Sequence, residues 1–454
     1  MTFEYEYFGL TPTPQQLQTI VFMLANPRGY NFSDMGSGKS ASSLWFADIL
    51  FKYGKIKKVL IICPLSLMKS VWVKEIENII PWRKYVIVHG DRRKRAFMLE
   101  QDVDFYIINH DGPKFSMDLL MQYSFDVIII DEVDNYKHFK PMDKKSKKHN
   151  KTSAVKLLCD RARSVFGLTG TPIANSPKDA FGIAKIVNPN KLPTPYITKW
   201  QQLTMFQVGP FQWIPKDNAV QIVHDTLQPA IRFTLEECTT LPPCVMETVE
   251  FTMCADQERV YSDMYEDQVA EYNEGTITAV TAAIKVMKLL QIAAGCVYDQ
   301  DGNVVVLPLK DKIEYILHVQ SQAGQVVVFC QFVQVAKRLN AELEGSRLIY
   351  GDVNLNERAT ILDDFKTGKF DILIAQPRTM AHGVNLQFCN TIIFFSPIFG
   401  NNFYRQAIAR VRRTGQTRPQ LVINFSSCEV ERKLYKMLNE KEATSQALLS
   451  LYKN

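Results

Sequence analysis

Two sets of short runs with unbroken apolar centres punctuate the chain. The first set comprises KVLIICP (58–64), YVIVHG (85–90), FYIINH (105–110) and FDVIIIDE (125–132). The second comprises QVVVFCQF (325–332), SRLIYG (346–351), FDILIAQP (370–377), NTIIFFSP (390–397) and PQLVINF (419–425). A strand with one wet face alternates apolar and polar residues; these runs do not, as expected of parallel strands covered on both faces. Stretches with helical spacing alternate with them, such as QQLQTIVFML (15–24) and SASSLWFADILFKY (40–53). The alternation predicts an α/β fold of two doubly wound parallel-sheet lobes. The N-terminal lobe is expected over residues 1–190 and the C-terminal lobe over 241–454. Residues 191–240 carry several prolines and Trp200, Phe206, Phe211 and Trp213 without a clear period. They read as a connector or small accessory element.

Composition narrows the class. The chain has 454 residues, 46% apolar and 22% charged, the profile of a globular enzyme rather than a disordered chain. Its formal charge of +6 suits a polyanionic partner without requiring one. The nine cysteines form no C-x-x-C pair and the seven histidines do not cluster with them. A zinc site or disulfide framework is therefore not expected, and the thiols suit a reducing compartment. The acidic, aromatic start MTFEYEYFGL is unlike a signal peptide. No apolar run approaches the roughly 18 residues of a membrane span. The expectation is an intracellular protein with no membrane role.

Three motifs carry candidate chemistry. SDMGSGKS (33–40) opens a helical stretch. Gly36, Ser37 and Gly38 can curl backbone N–H groups around phosphate oxygens at a helix N-terminus. At this spacing Lys39 reaches the β- and γ-phosphates of ATP, and the Ser40 hydroxyl sits on Mg2+. A serine- and glycine-rich helix cap would look similar, so this motif alone leaves both readings open. FDVIIIDEVD places Asp131 and Glu132 just past a buried strand, where open α/β sheets present ligand-binding groups. An aspartate there can hold Mg2+ through its water shell, and the next glutamate can deprotonate the attacking water. In QAIARVRRTGQ (406–416), Gln406, Arg410 and Arg413 fall at i, i+4 and i+7, one face of a predicted helix that Gly415 ends. Such a face aims donors at an anion, either ATP or a nucleic-acid backbone.

These residues resemble the motifs of superfamily-two helicases, and among them the Swi/Snf-type ATPases, over nearly the whole chain. PTPQQ (12–16) looks like the adenine-reading glutamine motif, which gives Gln16 that role. DMGSGKS and DEVD match the two Walker motifs. CPLSLMKSVWVKEIE (63–77) is similar to a segment whose Pro-Leu-Ser turn contacts nucleic-acid backbone. LTGTPIANSPKDAFGIAKIVNP (168–189) matches the motif that couples hydrolysis to DNA, with Thr169, Gly170 and Thr171 at its centre and Asn175 following. Leu241–Pro243, Gln257 and Tyr261 resemble the opening of the second lobe. VVVFCQF (326–332) and Gly383-Val384-Asn385-Leu386 continue the match, and QAIARVRRTGQ completes it. Two departures stand out: Met380 and Ala381 replace a Gly-Gly pair, and Asp134 stands where a histidine is frequent.

The resemblance implies RecA-like lobes, ATP and Mg2+ as cofactors, and Gly383 beside the nucleotide. It implies that Arg410 and Arg413 reach across a cleft to the γ-phosphate. Along the DNA track it places Ser66, Asn109, Thr169, Gln331 and Asn385, mostly on phosphate and sugar. The lysine-rich loop 137–152 reads equally as a salt-sensitive phosphate contact or a solvated loop. RRKR (92–95) reads as an exposed helix start, and the aromatics of 200–213 as packing between lobes ahead of a strand-separating wedge. The function expected is an ATP-dependent translocase or helicase moving on duplex or branched DNA, independent of sequence, in a compact form suited to a phage or bacterium. A monomer suffices for this reading. Three alternatives remain: an ATP-gated DNA clamp or partner-dependent motor subunit, an RNA helicase, and a P-loop phosphotransferase on a small molecule.

Overall fold

The computed structural model describes residues 5–142, 149–173, 176–210, 212–267, 269–272, 275–278, 282–380 and 386–452. They form two compact units, Met1–Thr240 with Glu442–Asn454, and Leu241–Lys441.

The first unit is built on a seven-stranded sheet. Its strands are β1 (Arg28–Asn31), β2 (Val59–Cys63), β3 (Tyr85–Ile87), β4 (Phe105–Asn109), β5 (Val127–Asp131) and β6 (Ser164–Leu168). After a small antiparallel hairpin of β7 (Met205–Gln207) and β8 (Trp213–Pro215), β9 (Ala230–Ile231) joins the edge. The order is β3-β4-β2-β5-β6-β1-β9, with every pair parallel. Successive residues of a strand enter different cores. Leu60, Ile62, Ile128 and Ile130 pack on one face, and Val59, Ile61, Val127 and Ile129 on the other. That division is why the runs are apolar throughout.

The second unit repeats the scheme. After β10 (Cys244–Glu250) come two hairpins, β11 (Val269–Tyr272) with β12 (Gly275–Thr278), and β13 (Cys296–Tyr298) with β14 (Val304–Val306). The remaining strands are β15 (Val326–Phe329), β16 (Arg347–Ile349), β17 (Ile372–Ala375), β18 (Thr391–Phe394) and β19 (Gln420–Ser426). The parallel sheet runs β10-β19-β18-β15-β17-β16. Val327, Leu373 and Ile392 face one core, and Val328, Ile374 and Ile393 the other. Both units are thus parallel-sheet α/β lobes of the RecA-like type.

The segment 191–240 does not stand apart as a connector. β9 pairs with β1, and Trp200 is buried in the first unit against Phe181, its indole N–H donating to the Pro177 carbonyl at 3.2 Å. The physical reason is that β1 would otherwise leave an edge of unpaired backbone groups. Phe206 is exposed on the hairpin, and Phe211 lies outside the described residues. The chain end also belongs to this unit: Leu448, Leu449 and Tyr452 pack in its core, with Tyr452 edge-on to Phe32. Of RRKR, Arg92 to Lys94 are exposed, but Arg95 is buried and donates to the carbonyls of Gly90 and Gly112 and to Ser116 Oγ.

Candidate functional site

In the first unit the candidate residues converge at the carboxyl ends of neighbouring strands. Asn31, Leu168 and Asp131 are partners in one row across β1, β6 and β5. Each of these three strands therefore releases its loop at the same level of the sheet.

The loop after β1 turns through left-handed conformations at Gly36 (φ 85°) and Gly38 (φ 80°), which glycine adopts without strain. Gly38 then caps the helix Lys39–Lys52. The Lys39 ammonium donates to the carbonyls of Ser33 (2.8 Å) and Asp34 (3.0 Å), two of its three donors. Burial pushes its pKa down, while Glu132, Asp131 and Asp34 act to raise it. The Ser37 hydroxyl is buried without a hydrogen-bond partner among the described residues. Ser40 follows Lys39 in the first turn of that helix.

Gln16 belongs to the capping box of the helix Pro14–Ala25: its Oε1 accepts the Thr13 N–H at 2.8 Å. Its amide nitrogen lies so close to Gly38 that a Cβ there would meet it at 2.0 Å. Sequence reasoning missed a second bracket around the loop. Asp34 N–H donates to the Phe233 carbonyl, Phe233 N–H to Ser33 Oγ, and Leu235 N–H to Asp34 Oδ2. These partners lie about 200 residues downstream, and no local motif announces them.

Asp131 ends β5 and is 8% exposed, with its Oδ2 accepting the Trp72 indole N–H at 3.1 Å. Glu132 has φ 53° and ψ 56°, the left-handed region in a residue other than glycine. Asp134 is buried, and desolvation raises its carboxyl pKa to about 6, partly offset by Lys137 and by a bond from Thr169 Oγ1 at 3.4 Å. Thr169 N–H in turn donates to the Asn31 carbonyl, and the Gly170 backbone lies against the loop at Ser33–Met35. The segment after β6 therefore touches both the loop and the acidic strand end.

This donor set suits a hard cation. A serine hydroxyl and an aspartate carboxylate are oxygen ligands. Among the described residues no three His, Cys, Asp or Glu side chains form a metal cluster of their own. A cation held by Ser40 and Asp131 would complete its shell with water and phosphate, as Mg2+ does.

Taken by itself, the second unit places Gln406 and Arg410 on the helix Asn401–Val411, both buried. The Gln406 amide has no hydrogen-bond partner among the described residues. The expected single helical face does not extend to Arg413. The helix ends at Val411, Arg412 has ψ 85°, and Arg413 sits in a turn closed by its carbonyl accepting Gln416 N–H at 3.0 Å. The Gln416 amide explains the early stop, since its Nε2 donates to the carbonyls of Val411 and Cys389. Gly415, at φ 93°, completes this turn and does not end the helix itself.

Among the expected nucleic-acid contacts, Ser66, Asn109 and Gln331 are half-buried at the ends of β2, β4 and β15. Thr169 is not available for such a contact: it is 1% exposed and bonded as described. Gly383, Asn385, Val384, Ala381, Asn175 and residues 143–148 of the lysine-rich loop lie outside the described residues. The ends of that loop are clasped: Lys140 N–H donates to Thr152 Oγ1, and Thr152 Oγ1 and Asn150 Nδ2 donate to the Lys140 carbonyl. No helix among the described residues is long and apolar enough to cross a membrane.

Protein p41 of Acyrthosiphon pisum secondary endosymbiont phage 1 is 26% identical over 98% of this chain and 99% of its own length. The Bacillus subtilis protein named Uncharacterized ATP-dependent helicase YqhH is 23% identical over 95% of this chain and 78% of its own. The mouse chromodomain-helicase-DNA-binding protein 1-like is 24% identical over 86% of this chain, which spans only 44% of that relative. Among solved structures, the Sulfolobus solfataricus SWI2/SNF2 ATPase core in complex with dsDNA gives a TM-score of 0.47 at 21% identity, covering 100% of this chain and 96% of that one. The SNF2-related domain matches residues 26–300 and the helicase conserved C-terminal domain residues 310–415. The chain belongs to the SNF2-related family and carries its ATP-dependent helicase/translocase core.

Proposed function

We propose that the protein couples Mg-ATP hydrolysis to movement along duplex or branched DNA. The observation that carries this reading is the row Asn31–Leu168–Asp131, which sets the phosphate loop, the coupling segment and the acidic pair side by side. Backbone N–H groups of residues 36–40 and the third Lys39 donor bind the β- and γ-phosphates. Ser40 and Asp131 hold the Mg2+ ion, which when bound draws charge from the transferred phosphoryl group. Glu132 takes the proton of the attacking water. Gln16 reads adenine, and Gly383 is proposed as a nucleotide contact on the family resemblance alone. Arg410 and Arg413 are proposed to stabilise the charge that develops during transfer, with Gln406 assisting them. Ser66, Asn109, Gln331 and Asn385 are proposed as backbone contacts that position without reading sequence.

The test is ATP hydrolysis by the purified chain with no nucleic acid, single strands, duplex, a forked duplex, a four-way junction and RNA. Stimulation by duplex or branched DNA is expected. Equal rates under every condition would sink the coupling.

A further inference from the structure

Trp72 stands on a π-helical turn, Met68–Val73, between the turn after β2 and the helix Lys74–Ile79. Its ring is fully buried in the core that holds Ile61, Ile76 and Phe105. Filling that space requires an apolar ring and nothing more. An indole brings one polar atom as well, and a buried N–H must find an acceptor. Here it finds Asp131 Oδ2 at 3.1 Å, across 59 residues of sequence. The acceptor is a carboxylate, so the bond is charge-assisted and directional. Single π turns inside helices occur often at functional positions, because the extra residue re-aims the side chains that follow.

We propose that Trp72 is a positioning residue for the cation of the ATP site. By holding Oδ2 it fixes the plane of the Asp131 carboxylate, so the ligand meets the cation without first losing rotational freedom. The inference rests on the reading of Asp131 as a metal ligand. Outer groups that orient ligands in this way are commonly worth about 10-fold or more in metal affinity.

The test removes the donor and keeps the ring. Trp72→Phe does so with some loss of volume. Replacing Trp72 with benzothienylalanine, which carries sulfur in place of N–H, does so at nearly constant volume and covers the case in which the phenylalanine variant fails to fold. Mn2+ binding is measured by electron paramagnetic resonance on the full chain with a non-hydrolysable ATP analogue. Mg2+ is titrated in parallel during ATP hydrolysis.

The expected result is about 10-fold weaker Mn2+ binding in either variant. Turnover should recover at raised Mg2+, and metal-free affinity for the analogue should not change. Mn2+ affinity equal to the parent's in a folded variant overturns the proposal, whether or not the melting temperature falls. Asp131→Asn separates the two levels of the argument. If it too binds Mn2+ as the parent does, the assignment of Asp131 fails, and not the role of Trp72 alone.

Discussion

The Thr169 hydroxyl and the Asp134 carboxylate meet at 3.4 Å inside the first unit, joining the segment after β6 to the acidic end of β5. Both side chains are buried, and desolvation holds the Asp134 carboxyl at about 6. A carboxyl raised in the fold above its ordinary value takes up a proton on folding between those two pH values. Its contribution is favourable below pH 4 and is lost as pH rises through 6. Asp134→Asn should therefore melt above the parent at pH 8, by up to about 3 kcal/mol. The difference should shrink to about half by pH 5 and close as pH falls towards 4. Paired melts from pH 5 to 8 check the sign, and a constant offset would refute it.

Gly38 leaves no room for a side chain. An added Cβ would meet Gln16 Nε2 at 2.0 Å, and φ 80° strains any other residue. Gly38→Ala should displace the Gln16 amide and weaken ATP binding at least about 10-fold, with selectivity for ATP over GTP narrowed. Fluorescent nucleotide titrations read both effects. Unchanged selectivity would remove Gln16 from adenine reading.

Lys39→Ala should abolish nucleotide binding with little change in melting temperature, because the ammonium is already disfavoured by its surroundings. Calorimetric titration with ATP decides this, and binding of ordinary strength would contradict the phosphate-loop assignment.

The two arginines should separate. Arg413→Ala, in the turn, should keep ATP binding and lose turnover by about 10³ with an ordinary melt. Arg410→Ala should lose turnover and also melt earlier, because that side chain is 7% exposed within the helix Asn401–Val411. Single-turnover hydrolysis and thermal melts on both variants distinguish them. Loss of DNA binding with hydrolysis intact would move both arginines to the nucleic-acid track.

Asp48 accepts bonds from Tyr5, Trp82 and Arg83 and is 1% exposed. Asp48→Ala strands these donors and should cost about 3 kcal/mol of stability. Denaturant melts measure it, and ATP affinity should stay as in the parent.

The sequence shows the strands well because a sheet covered on both faces demands residues such as Val59–Cys63, apolar without a break. It shows the glycine loop before the helix Lys39–Lys52 because glycines at positive φ and a lysine at a helix start are local features. The arginine helix is shorter than its spacing predicts for a physical reason. The i, i+4, i+7 spacing continues to Arg413, but the chain leaves the helix at Arg412, where Gln416 Nε2 donates to the last helical carbonyl, that of Val411. That capping depends on a fold-back no spacing rule contains. The bracket of Phe233 and Leu235 around Ser33 and Asp34 was invisible in the same way, as was the bond from Trp72 to Asp131. Side chains that meet across tens or hundreds of residues leave no period to read.

Glu132 carries one more implication, for how this protein would evolve. Its backbone sits at φ 53°, where glycine or asparagine rests more easily than glutamate. Selection in the laboratory for heat resistance alone should thus favour Glu132→Gly or Glu132→Asn and discard the proposed base. Keeping glutamate there costs a small standing penalty in stability, which its proposed role as the base would account for.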